Sequence, residues 1–166
     1  WLGLKPLKDA GSRKIWLWIL LGSLSFLLLS FLLVYPAVKN LDTATSNFSG
    51  LGSQALPAVL IYGLFQTSLP EELLFRGFLL KRLASRLSFV VANTIQAALF
   101  GLLHGLMFIT VISWQQTLLI ILCTVGIAAY MGFVNEKKSD GSILASWIIH
   151  ALANVITGTL SAFMLI

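Results

Sequence analysis

Residues 71–76, Glu-Glu-Leu-Leu-Phe-Arg, place three formal charges in six positions of an otherwise apolar run between Ala55 and the Lys81-Arg82 pair. The whole chain is 58% hydrophobic and only 10% charged, so this cluster stands against its surroundings. A charge held at membrane depth costs at least about 2.5–3.5 kcal/mol. Glu71, Glu72 and Arg76 therefore need each other, a water-filled cavity or a reaction. That need constrains the fold more than any other feature. It demands an all-α, polytopic transmembrane helix bundle whose polar groups face inward, because only helices and closed barrels satisfy their backbones in lipid.

A mean hydropathy of +0.93 places the chain in the integral-membrane class. Its 166 residues suit a single membrane domain, 1–166. The lone Cys123 excludes an intrachain disulfide and a thiolate metal site. The net charge of +5 comes from short clusters between apolar runs, which are topology determinants and give no sign of nucleic-acid binding.

Five spans are expected, at about Ile15–Tyr35, Ala55–Leu80, Asn93–Ile112, Trp114–Val134 and Ile143–Phe163. Leu79, Leu80, Leu83, Leu87, Val90 and Val91 recur at helical spacing opposite Lys81, Arg82 and Arg86, which predicts a short interfacial helix between spans two and three. Pro70 predicts a break in span two, and Ser68 three residues before Glu71 predicts a capping box opening a fresh helical segment. Asn47-Phe48-Ser49 is a formal glycosylation sequon, a pattern too short to weigh. With five spans the basic groups at Lys5–Lys14, Lys81–Arg86 and Lys137-Lys138 fall on one side, the cytoplasmic one. Only Lys39, balanced by Asp42, lies on the other.

Two further polar pairs occur at helical spacing, Phe100 with His104 and His150 with Asn154. At 1.5 Å per residue, Glu71 lies roughly 16 Å and His150 roughly 10 Å from the cytoplasmic surface. A third span starting at Asn93 puts His104 at roughly 17 Å, level with Glu71, whereas a start at Leu87 would put it at roughly 26 Å. The expected site is thus a pocket nearer the cytoplasmic side and open to it. Glu72 and Arg76 share a helix face and pair, while Glu71 points about 100° away. Glu71 is the candidate general base, with His104 orienting or sharing a proton with an attacking water. His150 and Asn154 offer two donors for an oxyanion. Gly101 and Gly105 allow a neighbouring helix to approach closely.

Taken together, the motifs EELLFR (71–76), FGLLH (100–104) and HALAN (150–154), with the Arg76-Gly77 continuation, resemble the Abi family. These are the CAAX prenyl proteases and bacteriocin-processing proteins, also called CPBP intramembrane metalloproteases. The resemblance covers a protease core at about 55–160. It implies an intramembrane endopeptidase in which Glu71 and His104 activate water, His150 and Asn154 form the oxyanion hole, and Glu72 and Arg76 support them. It implies a peptide or membrane-protein substrate, in some members prenylated. The family usually has more than five spans, so a chain starting at Trp1 is expected to be a fragment lacking upstream spans.

Glutamate with two histidines is also a zinc-like ligand set. No His-Glu-x-x-His helix is present, and asparagine suits an oxyanion better than zinc. The expectation is therefore no cofactor and no catalytic metal, with a zinc mechanism as the alternative. Two other functions compete: a non-catalytic immunity or regulatory protein that binds a peptide or membrane partner, and a proton-coupled transporter. The absence of an internal repeat argues against the last.

Overall fold

The computed structural model describes residues 2–7 and 10–166. Trp1 and Lys8, the latter counted above in the first basic flank, lie outside them. The described residues are helical without strands. Five long helices form the bundle: α1 (Arg13–Val38), α2 (residues 56–84), α3 (Phe89–Leu106), α4 (Trp114–Lys138) and α5 (Leu144–Ala162). Four of them, all but α2, are long and apolar enough to cross a membrane. The charged residues of α2 lower its hydropathy, and its length is comparable. The protein is an integral, multi-pass membrane protein.

The bundle is apolar outside and polar inside. Leu17, Leu20, Leu21, Leu24, Leu28, Phe31 and Leu32 cover one exposed face of α1. Glu72, Arg76, Gln96, Asn135 and Ser146 are wholly buried. With lipid as solvent, apolar burial gives no driving force between helices, and close packing with hydrogen bonds takes over. α3 packs on α4 through Gly101 and Gly105, where a Cβ would collide with Val125 and Ile121. α5 lies against α1, α4 and the middle of α2.

The expected break at Pro70 does not occur. Ser68 has helical dihedrals and caps nothing. The helix runs on through wide π-type turns at 62–68 and 73–80, on either side of the Glu pair. Widening leaves carbonyls without their usual i+4 donors, and side chains take them over. Thr67 donates to the Tyr62 carbonyl at 2.9 Å, Ser68 to those of Gly63 and Leu64, and Trp147 Nε1 to that of Leu64 at 2.8 Å.

No separate interfacial helix forms between spans two and three. Residues 81–84 are the last turn of α2, and Ser88 caps α3 by accepting from the Val91 N–H. α3 thus begins four residues earlier than expected. The hairpin still brings its residues level: by rise alone Glu71 lies about 20 Å above the end of α2, and His104 about 22 Å above the start of α3.

The basic groups do gather at one end. Lys81 donates to Glu136 and to the Gly141 carbonyl, both at 2.8 Å, and Lys5 pairs with Asp140 at 3.1 Å. The Gly3 carbonyl accepts from the Ile143 N–H there at 3.0 Å.

Candidate active site

The deepest layer of the site is an ion pair. Glu72 and Arg76 are both wholly buried, one turn apart on α2, with Arg76 Nη1 2.9 Å from Glu72 Oε1. The same oxygen accepts from His150 Nδ1 at 3.0 Å. The Arg76 guanidinium also lies over the Phe100 ring, 4.3 Å from its centroid. This cation–π contact supports a cation whose Nε and Nη2 find no acceptor among the described residues. One carboxylate thereby ties α2 to α5, and one guanidinium ties α2 to α3.

Glu71 faces the other way, as its 100° rotation requires. Its side chain is 34% exposed, and Oε2 lies 4.0 Å from His104 Nε2 and 3.8 Å from His150 Nε2. Both imidazoles are held from behind. His104 Nδ1 is 2.9 Å from the Phe100 carbonyl, one turn back on α3. A carbonyl only accepts, so Nδ1 carries the proton and Nε2 faces Glu71. His150 Nδ1–H points at the Glu72 carboxylate by the same reasoning. Neither Nε2 is close enough to Glu71 for a direct hydrogen bond, and Oε2 has no hydrogen-bond partner among the described residues. A gap of this width between two acceptors suits a bridging water.

Glu71, His104 and His150 therefore converge from α2, α3 and α5. Asn154 follows one turn after His150 on α5, and its Nδ2 donates to Thr67 Oγ1 at 2.8 Å. Thr67 was not among the residues singled out from the sequence. Nothing in its local pattern marks it, because the contact spans α2 and α5. Ser146 and Asn135, which clamp the start of α5 to α4 through bonds of 2.7 and 3.0 Å, were equally invisible.

His104, His150 and Asn154 line one cavity of about 300 Å³. It runs along Phe26, Ser30 and Val34 of α1 to Lys39, Thr43, Thr45 and Ser46 in the α1–α2 connection. This direction differs from the expected one. The connection lies at the end opposite the basic clusters, so the cavity leads away from the side expected to be cytoplasmic. The physical reason is packing: the lower end is closed by the Lys81, Gly3 and Asn135–Ser146 contacts, while α1 and α5 stand apart above His150.

The three groups facing the gap are chemically a zinc-type donor set. Zinc bonds of about 2.0–2.1 Å in a tetrahedron bring ligand atoms to about 3.3–3.4 Å of one another. The separations here are wider, and among the described residues no three His, Cys, Asp or Glu form a group able to hold a metal ion. As built, the site does not fit zinc, and no step is derived through one.

A multi-pass bundle with two carboxylates, an arginine and two histidines gathered between its helices belongs to the class of membrane-embedded proteins with a polar interior. The chain belongs to the Rce1-like family, described as type II CAAX prenyl endopeptidase, whose model matches residues 52–156. That is more than half of the chain and includes all three motifs. The family is one of proteases. No curated protein and no solved structure matches the chain.

Proposed function

We propose that this protein is an intramembrane endopeptidase that hydrolyses a peptide bond with a water activated by Glu71. The carrying observation is the 4.0 Å gap between Glu71 Oε2 and His104 Nε2, two acceptors on different helices. A water hydrogen-bonded to both at about 2.7–2.9 Å turns its oxygen lone pairs toward the cavity. As the oxygen attacks the scissile carbonyl, Glu71 takes a proton, and His104 fixes the water's orientation. The same proton then passes to the leaving amine.

His150 supports the developing oxyanion. Its Nδ1 is bonded to the buried Glu72 at 3.0 Å, which fixes the ring with Nε2 beside the position of that oxygen. Asn154, on the same helix face and held by Thr67, keeps a second amide hydrogen for that oxygen.

The substrate is a peptide or the tail of a membrane protein. A lipidated tail has a place to lie: an apolar groove of about 370 Å³ between α1 and α5, lined by Leu24, Leu27, Leu28, Phe31, Ile156 and Leu160, shares Ser30, Tyr35, Thr157 and Ile166 with the cavity. The test is cleavage of a quenched peptide library by the purified protein in detergent. Glu71→Gln and His104→Ala are expected to abolish cleavage. Equal cleavage by wild type and both variants refutes the proposed roles of Glu71 and His104, and no cleavage by any of the three favours a non-catalytic immunity or regulatory protein.

A further inference from the structure

The cavity changes character along its length. Beside the imidazoles its wall is Phe26, whose ring centroid is 5.9 Å from that of His150. At its far end stand the hydroxyls of Thr43, Thr45 and Ser46 and the ammonium-bearing Lys39. Among the described residues Lys39 is the only basic one at that end of the bundle. Among the described residues it forms no ion pair, not even with the nearby exposed Asp42. A cation left unneutralised where a catalytic cleft reaches water attracts negative charge to that end of whatever occupies the cleft.

Resting on the endopeptidase reading, we propose that the cleft between His150 and the α1–α2 connection binds the substrate as an extended peptide with an acidic group at its far end, recognised by Lys39. The length follows from α1. Lys39 lies thirteen positions after Phe26, about 20 Å at the helical rise. An extended chain covers that in about six residues, fewer once the lysine side chain reaches back. The acidic group therefore lies about four to six residues from the scissile bond. A free C-terminal carboxylate and an aspartate or glutamate side chain offer the same chemistry. Leu41 and Thr43 line the same cleft as Lys39.

The experiment compares kcat/KM for quenched peptides sharing one cleavable sequence and differing at the distal end: free carboxylate, C-terminal amide, amide with an internal Asp, and amide with an internal Lys. Wild type, Lys39→Glu and Lys39→Gln are assayed at low salt. In wild type the acidic peptides are expected to be cleaved about tenfold better than the amide at a four- to six-residue spacing, through KM, and the Lys peptide worse. Lys39→Glu is expected to invert that order, and Lys39→Gln to flatten it. Whichever acidic peptide gains more identifies the source of the charge. Cleavage of every peptide with no dependence on distal charge, or a dependence that survives Lys39→Glu, overturns this inference and leaves the protease standing. No cleavage of any peptide by wild type overturns the protease reading itself.

Discussion

Glu71 and Glu72 are chain neighbours with the same side chain, yet they sit in opposite surroundings. Glu72 is wholly buried and bonded through one oxygen to Arg76 and His150, at 2.9 and 3.0 Å. Glu71 is a third exposed, and its nearest imidazole nitrogens stand at 3.8 and 4.0 Å. The difference arises from a rotation of one residue on α2. It teaches that adjacent charges in a membrane helix divide the work. The filled half of the site holds three helices in register, and the open half keeps the room that a water and a substrate need.

The largest expected effect tests this division directly. Glu71→Gln should lower cleavage by about 10²- to 10⁴-fold, the usual worth of a general base. The thermal midpoint in detergent should hardly move, because the lost oxygen bonds nothing in the resting structure. Glu72→Gln should do the reverse in kind: it takes from buried Arg76 the carboxylate bonded to it, a loss of about 3–5 kcal/mol of stability, read by thermal or denaturant unfolding. If Glu72→Gln kept its stability and lost only activity, the two carboxylates would not divide as described.

Smaller changes sharpen the boundary between the halves. Thr67→Val removes the acceptor that holds Asn154 and should slow turnover roughly three- to tenfold with KM unchanged, the worth of one hydrogen bond. An unaltered rate would show that Asn154 needs no such support. Phe100→Leu removes the ring beneath Arg76 and should cost about 0.5–2 kcal/mol of stability. Its effect on activity should be less than that of His104→Ala, since the Phe100 carbonyl still accepts from His104. A zinc chelator should leave the cleavage rate unchanged; activity lost on chelation and restored by zinc would mean that the open half closes around a metal.

Much of the architecture is legible in the sequence. Apolar runs of span length, separated by basic clusters, specified the helices α1, α4 and α5 to within four residues, while α3 starts four and ends six residues earlier than expected. The clusters then gathered at one end, through pairs such as Lys81–Glu136. The Glu72–Arg76 pair followed from i, i+4 spacing. Two local expectations failed for one reason. Pro70 and Ser68 read as a break and a cap because those rules describe isolated helices. In the bundle, Thr67, Ser68 and Trp147 take over the carbonyls that a widened helix leaves free, and the helix continues. The amphipathic stretch after Leu79 split into the end of α2 and the start of α3, because the turn at 85–88 serves the hairpin better than a helix lying flat.

What the sequence determined by itself is which groups must leave the lipid and face inward: three charges, two imidazoles and an amide, spaced so that each set shares a helix face. That follows from periodicity and the cost of charge in hydrocarbon, both local quantities. What only the tertiary structure decided is how those faces are combined. It decided that His150 leans on Glu72 while its other nitrogen turns to Glu71. It also decided that Asn154 is held by Thr67, and that the cavity runs beside α1 toward Lys39 rather than toward the basic end. These are contacts between helices distant in sequence, fixed by how α1, α2 and α5 pack, and no repeat or spacing within a single segment encodes them.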